Sequence, residues 1–171
     1  MCAVLLTSFR TAPDTLELLR AKVAALGSQI RREAMRCTIS GASCVGRYVF
    51  LDVAIESELR QFCSDVVLAV QPFVDNSATR LPDWVHGLPE PSRQQKCALF
   101  EQYGSPNVFE GFDPHITLAV ADLMVPLHEL EELSMKVTAG LVGKEVRFSA
   151  LCLGAAGEHG VVFREHSQIV R

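Results

Sequence analysis

With 171 residues, of which 49% are apolar, the chain is long enough to bury one substantial core and too hydrophobic for an intrinsically disordered segment. A net charge of -4 argues against a broad nucleic-acid surface, whose affinity comes from Lys and Arg neutralising phosphates, but it leaves room for a small basic pocket. No apolar run approaches the roughly 20 residues needed to cross a bilayer, and Met1–Leu6 has neither the basic lead nor the length of a signal peptide, so a cytoplasmic protein without a membrane partner is expected.

In chain order, Cys2–Leu6 reads as a short buried strand. Pro13-Asp14 supplies a helix start, and Leu16, Leu19, Val23 and Leu26 form one apolar stripe that ends at Gly27. Met35–Cys44 and Tyr48–Val53 are rich in β-branched and aromatic residues on either side of Gly46-Arg47, which predicts two antiparallel strands. Ser57 opens a second helix with Leu59, Phe62, Val66 and Val70 on one face and Pro72 just beyond it. From about 72 to 113 prolines break the pattern, so a long loop is expected, with a short helix over Arg93–Tyr103. The pattern resumes with a strand at His115–Ala121, a helix from Pro126 to Gly140, and strands at Val146–Leu153 and Val161–Ile169 joined by the turn Gly154–Gly157. Strands outnumber helices in an α+β order, and 1–171 reads as one domain.

The chemistry concentrates at Phe112-Asp113-Pro114-His115-Ile116-Thr117-Leu118-Ala119. Side chains alternate across a strand, so His115 and Thr117 are expected on one face and Ile116, Leu118 and Val120 on the other. A histidine moves protons near neutral pH, and a hydroxyl about 7 Å along the same face can hold a phosphate oxygen. Alone, a His-x-Thr is equally consistent with a structural histidine.

With Tyr103-Gly104-Ser105-Pro106-Asn107-Val108-Phe109 leading into it, this segment resembles the second signature of the two-histidine phosphoesterase superfamily, and most of all its cyclic phosphodiesterase group. Ile39–Gly41 through Gly46–Leu51 looks like the paired strands between that superfamily's two motifs, and Val146–Leu153 like its late strand. The resemblance implies two lobes of antiparallel sheet with flanking helices, each lobe giving a His-x-Thr or His-x-Ser strand to a shared cleft. It implies cleavage of a 2′,3′-cyclic or related phosphodiester on a nucleotide or RNA end, without metal or other cofactor. One histidine takes a proton from water and the other gives one to the leaving oxygen, each transfer typically contributing about 10²–10⁴-fold in rate. His115 is then the acid or base and Thr117 the phosphate ligand.

The departure is at the start. The first motif should fall at Met1-Cys2-Ala3-Val4, where neither His nor Thr stands, so the N-terminal lobe is expected to be incomplete, by truncation or divergence, with a sheet edge open to self-association. A nucleotide- or RNA-end-binding module without turnover, or an interaction protein without ligand, are the alternatives.

Other residues of the chain are further candidates. Tyr48, Tyr103, Phe109 and Phe112 could stack on a base or pack in a core, and Arg47 could meet a phosphate or face solvent. Arg31, Arg32 and Arg36 form a basic group that suits either a ligand or a solvated turn. His86 could swing toward a cleft, whereas His128, His159 and His166 read as surface residues. Asp113-x-His115 lacks further metal ligands at recognisable spacing. Gly140–Lys144 lacks the spacing of a phosphate loop and is followed by Glu145. Six scattered cysteines without a C-x-x-C pair suit reduced thiols acting as small hydrophobes, Cys2 included.

Overall fold

A computed structural model of the chain describes residues 7–45, 47–77, 79–120, 125–156 and 162–170. The expected strand at Cys2–Leu6, and Cys2 with it, lies outside the described residues, as do Ala121, Gly157 and His159. The chain folds as α+β, with antiparallel sheets and flanking helices, and divides into two compact units that it enters in turn. Of the described residues, the first is built from Arg32–Leu59 and Pro114–Ser149, and the second from 7–31, Arg60–Asp113 and the residues from Ala150 onward.

In the first unit, β1 (Arg36–Val45) and β2 (Tyr48–Ile55) pair antiparallel, with β3 (His115–Val120) beyond β2 and β4 (Glu145–Arg147) beyond β1, in the order β3-β2-β1-β4. Strand β2 alternates cleanly. Val49, Leu51 and Val53 are buried, while Tyr48, Phe50 and Asp52 are half-buried on the opposite face. Cys37, Ile39, Leu51, Val53 and Ile116 form the core of this unit, with Leu141, Val146 and Phe148 packed against it. Helix α4 (Leu127–Thr138) follows Pro126 and packs on β1 and β2, burying Leu130, Ser134 and Thr138. The Gly140–Lys144 segment is a sheet connection: Gly143, at φ 83°, donates to the Ile39 carbonyl at 2.8 Å, and the Lys144 carbonyl accepts from Ile39 at 3.0 Å.

In the second unit, α1 (Leu16–Gly27) buries Leu19 and Val23 beside Val70 of α2 (Ser57–Val70), whose N-terminal turn belongs to the first unit. Phe9, Phe73, Leu151 and Leu153 complete that cluster. A second cluster joins Val67, Leu99 and Val108. Two strands, β5 (Ala150–Ala156) and β6 (Val162–Val170), pair antiparallel.

Three expectations change. The stretch from 72 to 113 is more structured than a loop, because α3 spans Glu90–Tyr103 and Val85 and Val108 are 0% and 1% exposed. Pro89 and Pro91 stand at the N-cap and first turn of α3, where the ring's fixed φ starts a helix instead of breaking it. The single strand expected at Val146–Leu153 is two: β4 joins the first sheet, Phe148 donates to the Met35 carbonyl at 2.8 Å, and β5 starts afresh in the second unit. Gly154, Ala155 and Ala156 lie in a strand and not in the expected turn, since β5 continues through Ala156.

Candidate functional site

The site is built on β3. Pro114 precedes the strand and its carbonyl accepts a hydrogen bond from Val53 at 3.3 Å, which starts the ladder. The register then sets His115 opposite Asp52, Ile116 opposite Leu51 and Thr117 opposite Phe50. Ile116, 2% exposed, is driven into the core, and its burial commits both neighbours to the other face. There His115 is half-buried and Thr117 exposed.

The expected alternation stops after Thr117. A bulge leaves Leu118 between the Phe50–Thr117 and Val49–Ala119 pairs, and Leu118 is 39% exposed instead of joining the core. An extra residue on one strand shifts the side-chain phase by one. Val120, opposite Tyr48, therefore sits on the face of Thr117 and not on the core face.

Around His115 the sheet presents a specific set of groups. Phe50 lies with its ring centroid 4.2 Å from that of His115, tilted by 47°. Tyr48 stacks on Phe50 at 5.7 Å with an interplanar angle of 9°, so three rings run along this face. Asp52 accepts a hydrogen bond at 2.7 Å from the Ser43 hydroxyl of β1. Gly41 pairs with Asp52 on that side, and a Cβ there would come within 3.4 Å of Asp52 Oδ2. Arg47 is half-buried in the tight connection just before Tyr48. Chemically, the face offers an imidazole for proton transfer, a hydroxyl for an anion, a carboxylate anchored by a serine, and aromatic surface.

Tyr103 and Phe112 belong to the second unit. Tyr103 ends α3 with its ring 4.5 Å from that of Phe109, beside the Val67–Leu99–Val108 cluster. Phe112 is buried, and the Arg60 guanidinium lies 6.0 Å from its ring centre. The residues leading to the His-x-Thr strand are tied together by Lys96, which donates to Asn107 Oδ1 at 2.9 Å and to the Gly111 carbonyl. Asn107 Oδ1 also accepts from the Asp113 amide at 3.2 Å, and Lys96 lies 5.7 Å from the centre of the Trp84 ring. Burial pushes the Lys96 pKa down, with the Asp113 charge opposing.

Gly104 ends α3 at φ 70°, a conformation that glycine adopts without steric cost. A Cβ there would also meet the Val74 side chain.

The remaining candidates are placed as follows. Arg36 bridges Glu56 at 3.0 Å and Glu145 at 3.2 Å, so its charge is engaged within the sheet, while Arg31 and Arg32 are exposed. His86 and His128 are exposed, and the His166 side chain lies outside the description. Cys37 and Cys63 are buried thiols, and all described cysteines are free. Among the described residues, no three His, Cys, Asp or Glu side chains are grouped as metal ligands. No described helix is long and apolar enough to cross a membrane.

The motif and its neighbouring pattern do not mark Phe50, Asp52, Ser43 or Lys96. An aspartate alternating with Tyr48 and Phe50 in an otherwise apolar strand is a signal in retrospect. Its partner His115 is 63 positions away by number, and only the register joins them.

No curated protein and no solved structure matches the chain. Residues 5–164 match the model of the family described as "Protein of unknown function (DUF1045)", and the chain belongs to that family.

Proposed function

We propose that the His115–Thr117 face acts on a 2′,3′-cyclic or related phosphodiester at a nucleotide or RNA end, by acid–base chemistry in the manner of two-histidine phosphoesterases. His115 moves the proton and Thr117 holds a phosphate oxygen. The observation that carries this reading is the display of both groups on one strand face, committed there by the burial of Ile116. The two-lobed phosphoesterase fold belongs to the same proposal. Tyr48 and Arg47 flank the face as substrate contacts, and Tyr103 and Phe112 enter the proposal through the family likeness.

A second reading has its own support. The likeness calls for a second His-x-Thr or His-x-Ser, and Met1–Val4, where it should fall, carries neither His nor Thr. A half-site with an anion-holding hydroxyl and adjacent aromatic surface suits a module that retains a nucleotide or RNA end without turnover. Hydrolysis of a 2′,3′-cyclic nucleotide, measured with chelator present and beside a His115→Ala control, separates the two. Turnover lost in the variant supports the enzyme. No turnover from a folded chain that still binds the nucleotide supports the binding module, and neither turnover nor binding overturns both.

A further inference from the structure

The face that carries His115 also holds a carboxylate at the register position facing the imidazole. Asp52 stands directly across the ladder from His115, and both side chains leave the sheet opposite the Leu51, Val53 and Ile116 core. Directly opposed residues in an antiparallel pair have Cβ atoms about 4.5–5.5 Å apart, a separation that an imidazole and a carboxylate span with one hydrogen bond. The carboxylate is itself anchored, with its Oδ1 accepting from Ser43 at 2.7 Å. On the same flank Gly41 has no side chain, and even a Cβ there would stand 3.4 Å from Oδ2. Phe50 lies against the imidazole ring, 4.2 Å between centroids.

We propose that Asp52 is a positioning residue for His115, held in place by Ser43. A neutral imidazole carries its proton on either of two nitrogens, and only the nitrogen turned outward can serve a substrate. A carboxylate that accepts from one nitrogen selects the tautomer and leaves the lone pair on the other nitrogen to serve a substrate. The arrangement follows the general pattern of a proton carrier oriented by a third group. Ser43 and Gly41 then have complementary parts: the first fixes one carboxylate oxygen, and the second keeps the space beside the other open. The proposal rests on reading His115 as the proton carrier of this face, and it deepens that reading by adding the residue that orients it.

The test is nitrogen-15 NMR of the full chain with labelled histidine, the His115 signals being assigned by their loss in His115→Ala. At a pH where the ring is neutral, the wild-type chain is expected to show one dominant His115 tautomer. Asp52→Ala is expected to convert it to a mixture, and Ser43→Ala to move it partway in the same direction. Asp52→Leu, similar in size and without an acceptor, serves where the alanine variant does not fold. A His115 tautomer ratio unchanged in Asp52→Ala or Asp52→Leu, and in Ser43→Ala, overturns the proposal.

Turnover of the cyclic nucleotide is the second readout. Asp52→Ala is expected to lower kcat by about 10–100-fold, as loss of an orienting partner typically does, with KM little changed, whereas Thr117→Ala is expected to raise KM. The two readouts separate the failures. A tautomer change without any wild-type turnover retains the positioning role and overturns the phosphodiesterase reading. Wild-type turnover with no tautomer change retains the enzyme and overturns the role of Asp52.

Discussion

Two polar regions of this molecule are built from similar groups and end differently. In the Lys96 knot, the ammonium, the Asn107 amide and the Asp113 and Gly111 backbone spend their hydrogen bonds on one another. On the β2–β3 face, Asp52 is anchored by Ser43 but Thr117 stands exposed beside a half-buried histidine. Polar groups bonded to one another specify a conformation, whereas a strand face holds its side chains at fixed positions. The knot therefore reads as architecture and the sheet face as the candidate site.

The sharpest way to break this comparison is His115→Ala. Loss of one proton carrier is expected to reduce cyclic phosphodiester turnover by about 10²–10⁴-fold, while chemical denaturation shows stability little altered, because the ring is only half-buried. A comparable loss of activity after Lys96→Met, with stability unchanged, would place chemistry in the knot instead.

Ile116→Ala is the next largest effect and links the two properties. Truncating a fully buried aliphatic residue typically costs about 2–5 kcal/mol, so a large drop in the urea midpoint is expected. Activity should suffer too, since Ile116 sets the direction of both neighbours. Lys96→Met should cost about 1–3 kcal/mol by leaving the Gly111 carbonyl without its ammonium donor and Asn107 Oδ1 with the Asp113 amide alone, with catalysis by the folded fraction retained.

The smallest effect is a slope with pH. Burial pushes the Cys37 thiol up to about 11 and the Cys63 thiol up to about 12 from an ordinary 9.0. Their folded values lie above the unfolded one, so their contribution is fully present below pH 9 and is lost as the pH rises through about 11 to 12. Denaturant titrations between pH 8.5 and 10.5 should show a falling stability that is shallower in Cys63→Val. An unchanged slope in that variant would show that this thiol is not held protonated by burial.

Much of the fold was legible from local pattern. The stripe Leu19–Val23, the alternation of β2 and the start of β3 each follow from a single periodicity, and each appears in place. What escaped depends on partners distant in sequence. The apolar run from Val146 to Leu153 looks continuous because both of its halves carry partly buried apolar residues, but Val146 and Phe148 serve one cluster and Leu151 and Leu153 another. The prolines near α3 look like interruptions until their position in the first turn is known. Of the site, His115, Thr117 and Tyr48 were readable from motif and alternation. Asp52 and Ser43 were not, because their meaning lies in the register between strands.

The bulge at Leu118 reaches beyond the orientation of side chains. Among the described residues β3 is the outer strand of its sheet, which is where a foreign strand would add. Its regular pairing with β2 runs through His115, Ile116 and Thr117 before the register slips. An incoming strand would thus find a rail three residues long and then a change of pitch, too short to template growth. By this irregularity the margin that presents the histidine is also protected from becoming a seed for aggregation.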